Sequence, residues 1–215
     1  MLGIVTGMKA EARLANPLGL VLAGGAGPKA AARAAARLGD EGATALVSFG
    51  LAGGLSAAFA PGTLIIPAEV MTEEDRFPTD AALTTWLGGA TGGILFAAPA
   101  TVATASGKRA LHERTGAQAV DLESGAVAAI ARTRGLPFAA LRCVCDSADT
   151  DLPAAALVAL DARGAIMIER VLLSLLERPR QIGELIRLSR QAAAARSALA
   201  RRVAELAAGE PYVAP

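Results

Sequence analysis

Three carboxylates stand just beyond three apolar runs, a placement that suits positioned acids and bases. Glu11 lies past "LGIVTG" (2–7), Glu123 follows "AVD" (119–121), and Asp146 ends "LPFAALRCVCD" (136–146). A single carboxylate at such a place is ordinarily a helix cap or a surface charge. Three strand ends facing one edge of a sheet would instead converge on one pocket, where acids, bases and hydroxyl-binding groups are assembled. Glycine supports the same site. Gly50, Gly53 and Gly54 come directly after the run "ALVSF", so the backbone there can approach a ligand closely. Open α/β sheets bind small molecules at the carboxyl ends of their strands. A second glycine group, "AGGAGPKAA" (23–31), matches neither the phosphate-loop nor the dinucleotide pattern and reads as a plain strand-to-helix turn.

The elements that must carry these residues follow from periodicity. "LGIVTG", "LGLVLAGGAG", "ATALVSFG", "GTLIIPAEV", "GGILFAAP" and "LPFAALRCVCD" read as buried strands. Helical pattern fills the gaps at 28–38, with Gly39 just past its end, and at 79–87, 107–114 and 122–134, and from about residue 153 the chain turns wholly helical. Continuous apolar strands alternating with helices imply a sheet covered on both faces. The expected fold is α/β: one domain over 1–215, a three-layer α/β/α sandwich around a central sheet.

Composition excludes several classes. The 215 residues suffice for one sizeable core, and 53% apolar with 19% charged residues argues against disorder. A net charge of +1 and 3% aromatics give no footprint for nucleic acid. Cys143 and Cys145, two apart in one strand, make a poor disulfide, and no Cys or His cluster completes a metal site. They read as reduced packing residues of a cytoplasmic protein. His112 reads as a surface residue. Lys9, Glu11 and Arg13 interrupt the opening stretch, which is unlike a secretory signal. Two uncharged tracts, 43–68 and 81–107 (the first broken at Gly50, Gly53 and Pro61), are too interrupted for membrane spans. The final helix, about 181–206, sets Ile182, Leu185, Ile186, Leu199, Val203 and Leu206 against Arg187, Arg190, Arg196, Arg201 and Arg202. That pattern fits a helix packed on the domain with a solvated basic face, or peripheral contact with an anionic membrane.

"GIVTGMKAEA", "SFGLAGGLSAAFAPGTLIIP" and "AVDLESGAVAAIARTRGLPFAALRCVCDSAD" resemble, in order and spacing, the nucleoside phosphorylase and nucleosidase superfamily. This is the family of purine nucleoside phosphorylase and methylthioadenosine/S-adenosylhomocysteine nucleosidase. "VDLESGAVA" and "DLPAAALVALDARGAI" look most like its hopanoid-associated branch, linked to removing adenine from adenosylhopane. The resemblance implies a mixed central sheet and cleavage of an N-glycosidic bond. It implies Asp146 as the acid toward purine N7, Glu123 as the acceptor of the ribose hydroxyls, and Leu122 as an apolar neighbour of the sugar. Gly7, Gly50 and Gly53 fall in the matching blocks and are expected to border the substrate. Asp149 closes the family's S-D-x-A-D block and otherwise reads as a turn residue; Cys145 stands where that block has serine.

Glu11 bears on what attacks the sugar. A glutamate here activates water in the nucleosidases, whereas the hexameric phosphorylases carry a phosphate-holding arginine. Ser48 and Leu51 stand where that group has further phosphate contacts, and neither can form an arginine fork. Lys9 and Arg13 flank Glu11 as alternative anion ligands. Phosphate and water both remain open as acceptor. The expectation is no cofactor, with phosphate as the one possible co-substrate; a small nucleoside substrate, lipid-linked or not; and a homo-oligomer in the cytoplasm or at the inner membrane surface. The alternatives are a methylthioadenosine/S-adenosylhomocysteine-type nucleosidase and a nucleoside-binding module without catalysis.

Overall fold

The computed structural model describes residues 1–157 and 181–214. Its centre is β3 (Ala45–Gly54), which runs parallel to β1 (Leu2–Thr6) on one side and to β9 (Phe138–Asp146) on the other. Beyond β1 lies β2 (Leu20–Ala23). At Gly53 and Gly54 the far end of β3 turns to pair antiparallel with β8 (Ala119–Asp121). From β8 the sheet continues through β7 (Gly92–Ala97) and β5 (Pro67–Met71) to β6 (Arg76–Pro78), while β4 (Leu64–Ile65) pairs antiparallel with β9. The sheet is therefore mixed, as the family resemblance implied.

Helices cover both faces. On one side α2 (Pro28–Asp40) and α5 (Ser124–Arg134) bury Ala31, Ala34, Ala35, Leu38, Val127 and Ala131 against Val5, Leu46 and Ala140. Small alanines on α2 let the helix lie close to the strands and to α5. On the other side α7 (Ile182–Ala208) presents Ala195, Leu199 and Val203 to Val47, Phe49, Leu141 and Cys143, alongside α1 (Lys9–Ala15). A third cluster joins α4 (Ala105–Thr115) to β7 and β8 through Leu111, Phe96 and Val120. The remaining helices are α3 (Ala81–Trp86) and the short α6 (Ala154–Leu157).

Helix ends follow local chemistry. The Thr104 hydroxyl caps α4 by accepting from the Gly107 amide at 3.1 Å, and the Asp80 carboxylate caps α3 by accepting from the Leu83 amide at 2.7 Å. Gly116 and Gly135, both at positive φ, close α4 and α5.

Several expectations change. "GTLIIPAEV" is two strands rather than one: the Ile66 amide donates to the Thr91 hydroxyl at 2.8 Å, and Pro67, which has no N–H, starts β5. Strand β6, of three residues, is too short for periodicity to announce. Gly50, Gly53 and Gly54 do not follow β3; they form its second half, because β9 and β8 continue the pairing there. His112 has a partner, with Nδ1 2.7 Å from the Ala117 carbonyl oxygen. Among the described residues no helix is long and apolar enough to cross a membrane, and the two uncharged tracts hold strands and the short α3. Residues 158–180 of the expected helical stretch, with the tail of "DLPAAALVALDARGAI", lie outside the described residues.

The apolar stripe of α7 is buried only in its second half; Ile182 and Ile186 remain 48% and 47% exposed. Leu199→Ala should cost about 2–5 kcal/mol in urea unfolding, the usual range for a large-to-small core change. Ile186→Ala should stay within about 0.5 kcal/mol, as for an exposed site.

Candidate active site

The buried charges gather where β1, β3, β8 and β9 end. The central one is Arg142, in the middle of β9 and only 1% exposed. A guanidinium inside a sheet is tolerable only if its donors are met by anions and acceptors. Its Nη2 lies 2.5 Å from Asp121 Oδ2, donates to the Ser48 hydroxyl at 2.7 Å, and stands 3.6 Å from Glu123 Oε2. Nη1 donates to the Leu51 carbonyl oxygen at 3.3 Å. The buried Ser124 hydroxyl lies 3.0 Å from that of Ser48 and donates to Asp121 at 2.5 Å, and Asp121 also accepts from the Ser124 amide that opens α5.

Glu11 and Glu123 border this group. Glu11 does more than cap a helix: its Oε2 accepts from the Met8 amide at 2.9 Å, at the start of α1, while Oε1 reaches across to accept from the Leu51 amide of β3 at 3.0 Å. Burial pushes its carboxyl above the usual range, with Arg142 and the backbone donors pulling the other way. Glu123, the residue before α5, accepts from the Gly27 amide at 3.2 Å. The glycine turn before α2, expected to be plain, thus reaches the site. Burial raises Glu123 to about 7; Arg142 opposes this, while Asp121 and Glu11 add to it.

The glycines make room for these carboxylates. A Cβ on Gly50, whose φ is +151°, would stand 2.7 Å from Glu11 Oε1 and 2.8 Å from Arg142 Nη1. On Gly7 it would sit 3.2 Å from Glu123 Oε1 and 3.7 Å from Glu11 Oε2, and on Gly53 3.3 Å from Asp146 Oδ1. Leu122 is half-buried and packs toward the cluster of Phe96, Leu111 and Val120.

Asp146 lies at the end of the same strand as Arg142, and a bulge decides where it points. Ala52 faces Val144, but Gly53 faces Asp146, so Cys145 is the extra residue. Lys108 of α4, fully buried at 0% exposure, meets Asp146 Oδ2 at 2.5 Å. Its ammonium also donates to the carbonyl oxygens of Ser147 (2.7 Å) and Thr150 (2.9 Å). Cys145 is more than packing, since its thiol donates to Asp146 Oδ1 at 3.3 Å, and burial raises the thiol well above its ordinary value. Asp149 is a turn residue whose carboxylate accepts from the Ser147 and Thr150 hydroxyls.

Glu11 and Glu123 therefore share one charged cluster around Arg142, and Asp146 belongs to a second one farther along β9. Arg142, Asp121, Ser124 and Lys108 were not singled out from the sequence. One signal was available for Arg142, a lone charge inside an otherwise apolar strand. Lys9 and Arg13, weighed as anion ligands, are exposed. Among the described residues no group of His, Cys, Asp and Glu is arranged to hold a metal ion.

Solved structures share this architecture. A 5′-methylthioadenosine/S-adenosylhomocysteine nucleosidase from Colwellia psychrerythraea 34H, in complex with adenine, superposes with TM-score 0.67 at 17% identity, covering 95% of each chain. The corresponding Neisseria meningitidis nucleosidase, in complex with methylthio-immucillin-A, gives TM-score 0.63 at 20% identity, covering 95% of this chain and 98% of that one. Futalosine hydrolase of Helicobacter pylori strain 26695 gives 0.66 at 16% identity, with 95% and 97% covered. At these identities the likeness establishes the fold. No curated protein matches the chain. The phosphorylase superfamily matches residues 4–82 and 89–177, which include Glu11, Lys108, Glu123, Arg142 and Asp146. With most of its length matched and the fold shared, the chain belongs to the phosphorylase superfamily.

Proposed function

We propose that the protein cleaves the N-glycosidic bond of an adenine nucleoside, with water as the acceptor. The observation that carries this reading is the charge balance around Arg142. One guanidinium there faces Asp121 and Glu123 directly, and Glu11 lies beside it over Gly50. Asp121, at 2.5 Å, is the nearest of its anions. A phosphate anion would enter a site with more carboxylates than cations, and would find neither Lys9 nor Arg13 turned inward. Neutral water meets no such penalty.

Each group then has a task. Glu11, held by two backbone amides and made more basic by burial, takes a proton from the attacking water. Glu123 accepts the ribose hydroxyls with the lone pairs that Gly27 leaves free, and its charge favours an oxocarbenium-like sugar. Asp146 protonates the purine as the bond to the sugar breaks, so the base departs neutral rather than as an anion. Arg142 holds Glu123 and Asp121 in register and touches the Leu51 carbonyl, whose own amide holds Glu11.

The resemblance to the hopanoid-associated branch supports a large apolar group at the 5′ carbon, adenosylhopane being the candidate. The first turns of α7 supply exposed Ile182 and Ile186, and Glu184, Arg187 and Leu188 of that helix line a cavity shared with Asp146. That cavity is lined mostly by polar residues, so exposed Ile182 and Ile186 are the surface that would meet the apolar part of a lipid-linked substrate at a membrane.

Adenine release from 5′-methylthioadenosine and from adenosylhopane, followed with phosphate rigorously removed, tests the reading. The expected result is release at an undiminished rate with free sugar as product, faster for adenosylhopane. A strict need for phosphate with formation of a sugar 1-phosphate would overturn water as the acceptor. Asp146→Asn and Glu11→Gln should each lower kcat by about 10²–10⁴-fold, the usual contribution of a general acid or base. Stability should also report Glu123. Its carboxyl ionises near 4.5 ordinarily and at about 7 in the fold, so the folded state holds the extra proton between these values. That contribution is fully present below pH 4.5 and is lost as pH rises through about 7. Glu123→Gln should remove up to about 3 kcal/mol of this dependence, measured as the difference between variant and wild type in urea unfolding from pH 4.5 to 8.

A further inference from the structure

We propose that Lys108 supplies the proton that Asp146 passes to the departing purine, so that the acid of this site is the Lys108–Asp146 pair. The inference rests on the cleavage reading above and adds to it a residue that acts through Asp146. Taking a lysine ammonium fully out of water costs several kcal/mol unless every N–H is met. Here three donors meet three acceptors: Asp146 Oδ2, the Ser147 carbonyl and the Thr150 carbonyl. The other buried members of α4, Leu111 and Thr115, serve its packing or its own helix; Lys108 alone is turned to the end of β9.

Among the described residues, the surroundings leave Asp146 one source of protons. Oδ2 is in contact with Lys108, and Oδ1 accepts from the Cys145 thiol, which burial makes a still weaker acid. The other charged groups nearby are Asp149 and Asp151 on the loop after β9, with Glu184 and Arg187 of α7. Asp149 is bound to the Ser147 and Thr150 hydroxyls, and Asp151 accepts from the Ala105 amide at 2.7 Å. Both are acceptors only. As the bond from the sugar to the purine breaks, its electron pair goes to the base. An ammonium proton of Lys108 moves to the Asp146 carboxylate, and Asp146 passes a proton on to purine N7. The purine leaves neutral, Asp146 keeps its proton count, and Lys108, now an amine, regains a proton from solvent after product departs.

Steady-state adenine release from 5′-methylthioadenosine by wild type, Lys108→Met, Lys108→Arg, Asp146→Asn and the Lys108→Met/Asp146→Asn double variant tests the proposal. Lys108→Met should lower kcat by about 10²-fold with KM within about threefold, because the interaction is needed only in the transition state. In the Asp146→Asn background the same change should cost less than about threefold, since the two residues act as one unit. That double variant leaves no unpaired buried charge, so its comparison with Asp146→Asn decides the matter even if Lys108→Met alone does not fold. Lys108→Arg keeps a cation but not a proton to release, and should remain as impaired as Lys108→Met. Unchanged kcat in Lys108→Met, losses that multiply in the double variant, or recovery by arginine would each overturn the proposal. A wild-type chain that releases no adenine from 5′-methylthioadenosine or adenosylhopane would instead overturn the cleavage reading itself, and the inference with it.

Discussion

A guanidinium placed in the middle of a buried strand has to be neutralised and fully hydrogen-bonded, and Arg142 organises the site by that requirement. Its partners come from three other places in the chain: Ser48 and Leu51 on β3, Asp121 at the end of β8, and Glu123 just before α5. The first three lie in the middle or at the carboxyl end of a strand, and Glu123 at the entry to a helix packed on the sheet. Asp121 also caps the first turn of α5 through the Ser124 amide, so the ion pair ties the helix to the sheet where Glu123 emerges. Removing one partner of such a pair leaves a buried charge uncompensated, which costs more than the pair's own net contribution.

The second charged cluster is separated from the first along β9. Arg142 sits among carboxylates, whereas Asp146 meets Lys108. The environments differ in their excess sign, negative around Glu11 and Glu123 and balanced at Asp146. In the proposed reaction, two classes of proton chemistry run a few residues apart: acceptance from a nucleophile at one place and delivery to a leaving group at the other. The bulge at Cys145 makes this spacing possible, because it puts Asp146 opposite Gly53, whose missing side chain leaves the carboxylate room.

Much of the fold was legible because strand and helix periods are local. Long runs such as "ALVSF" and "LPFAALRCV" have no polar face, which already implies a sheet covered on both sides; the structure puts α2 and α5 on one face and α1 and α7 on the other. The three-residue β6 escaped, since so short a run carries no period, and the pairing of the equally short β8 is defined by its neighbours β3 and β7. The glycines at 50, 53 and 54 were visible but misplaced. Their pairing depends on β8 and β9, which lie more than sixty residues away in the chain.

The sequence by itself determined the class of fold, the alternation of elements and the three carboxylates at strand ends, because apolar periodicity and the position of a charge beside it are read within a few residues. Tertiary structure alone decided which charges matter to one another. Arg142 showed as a lone charge in an apolar run and Lys108 as an ordinary helix residue, and neither had a partner until β9 was laid beside β3 and α4 was packed onto its end. Their partners, Asp121 and Asp146, stand 21 and 38 residues away. A charge becomes part of a site when the chain buries it against its complement, and that pairing is non-local.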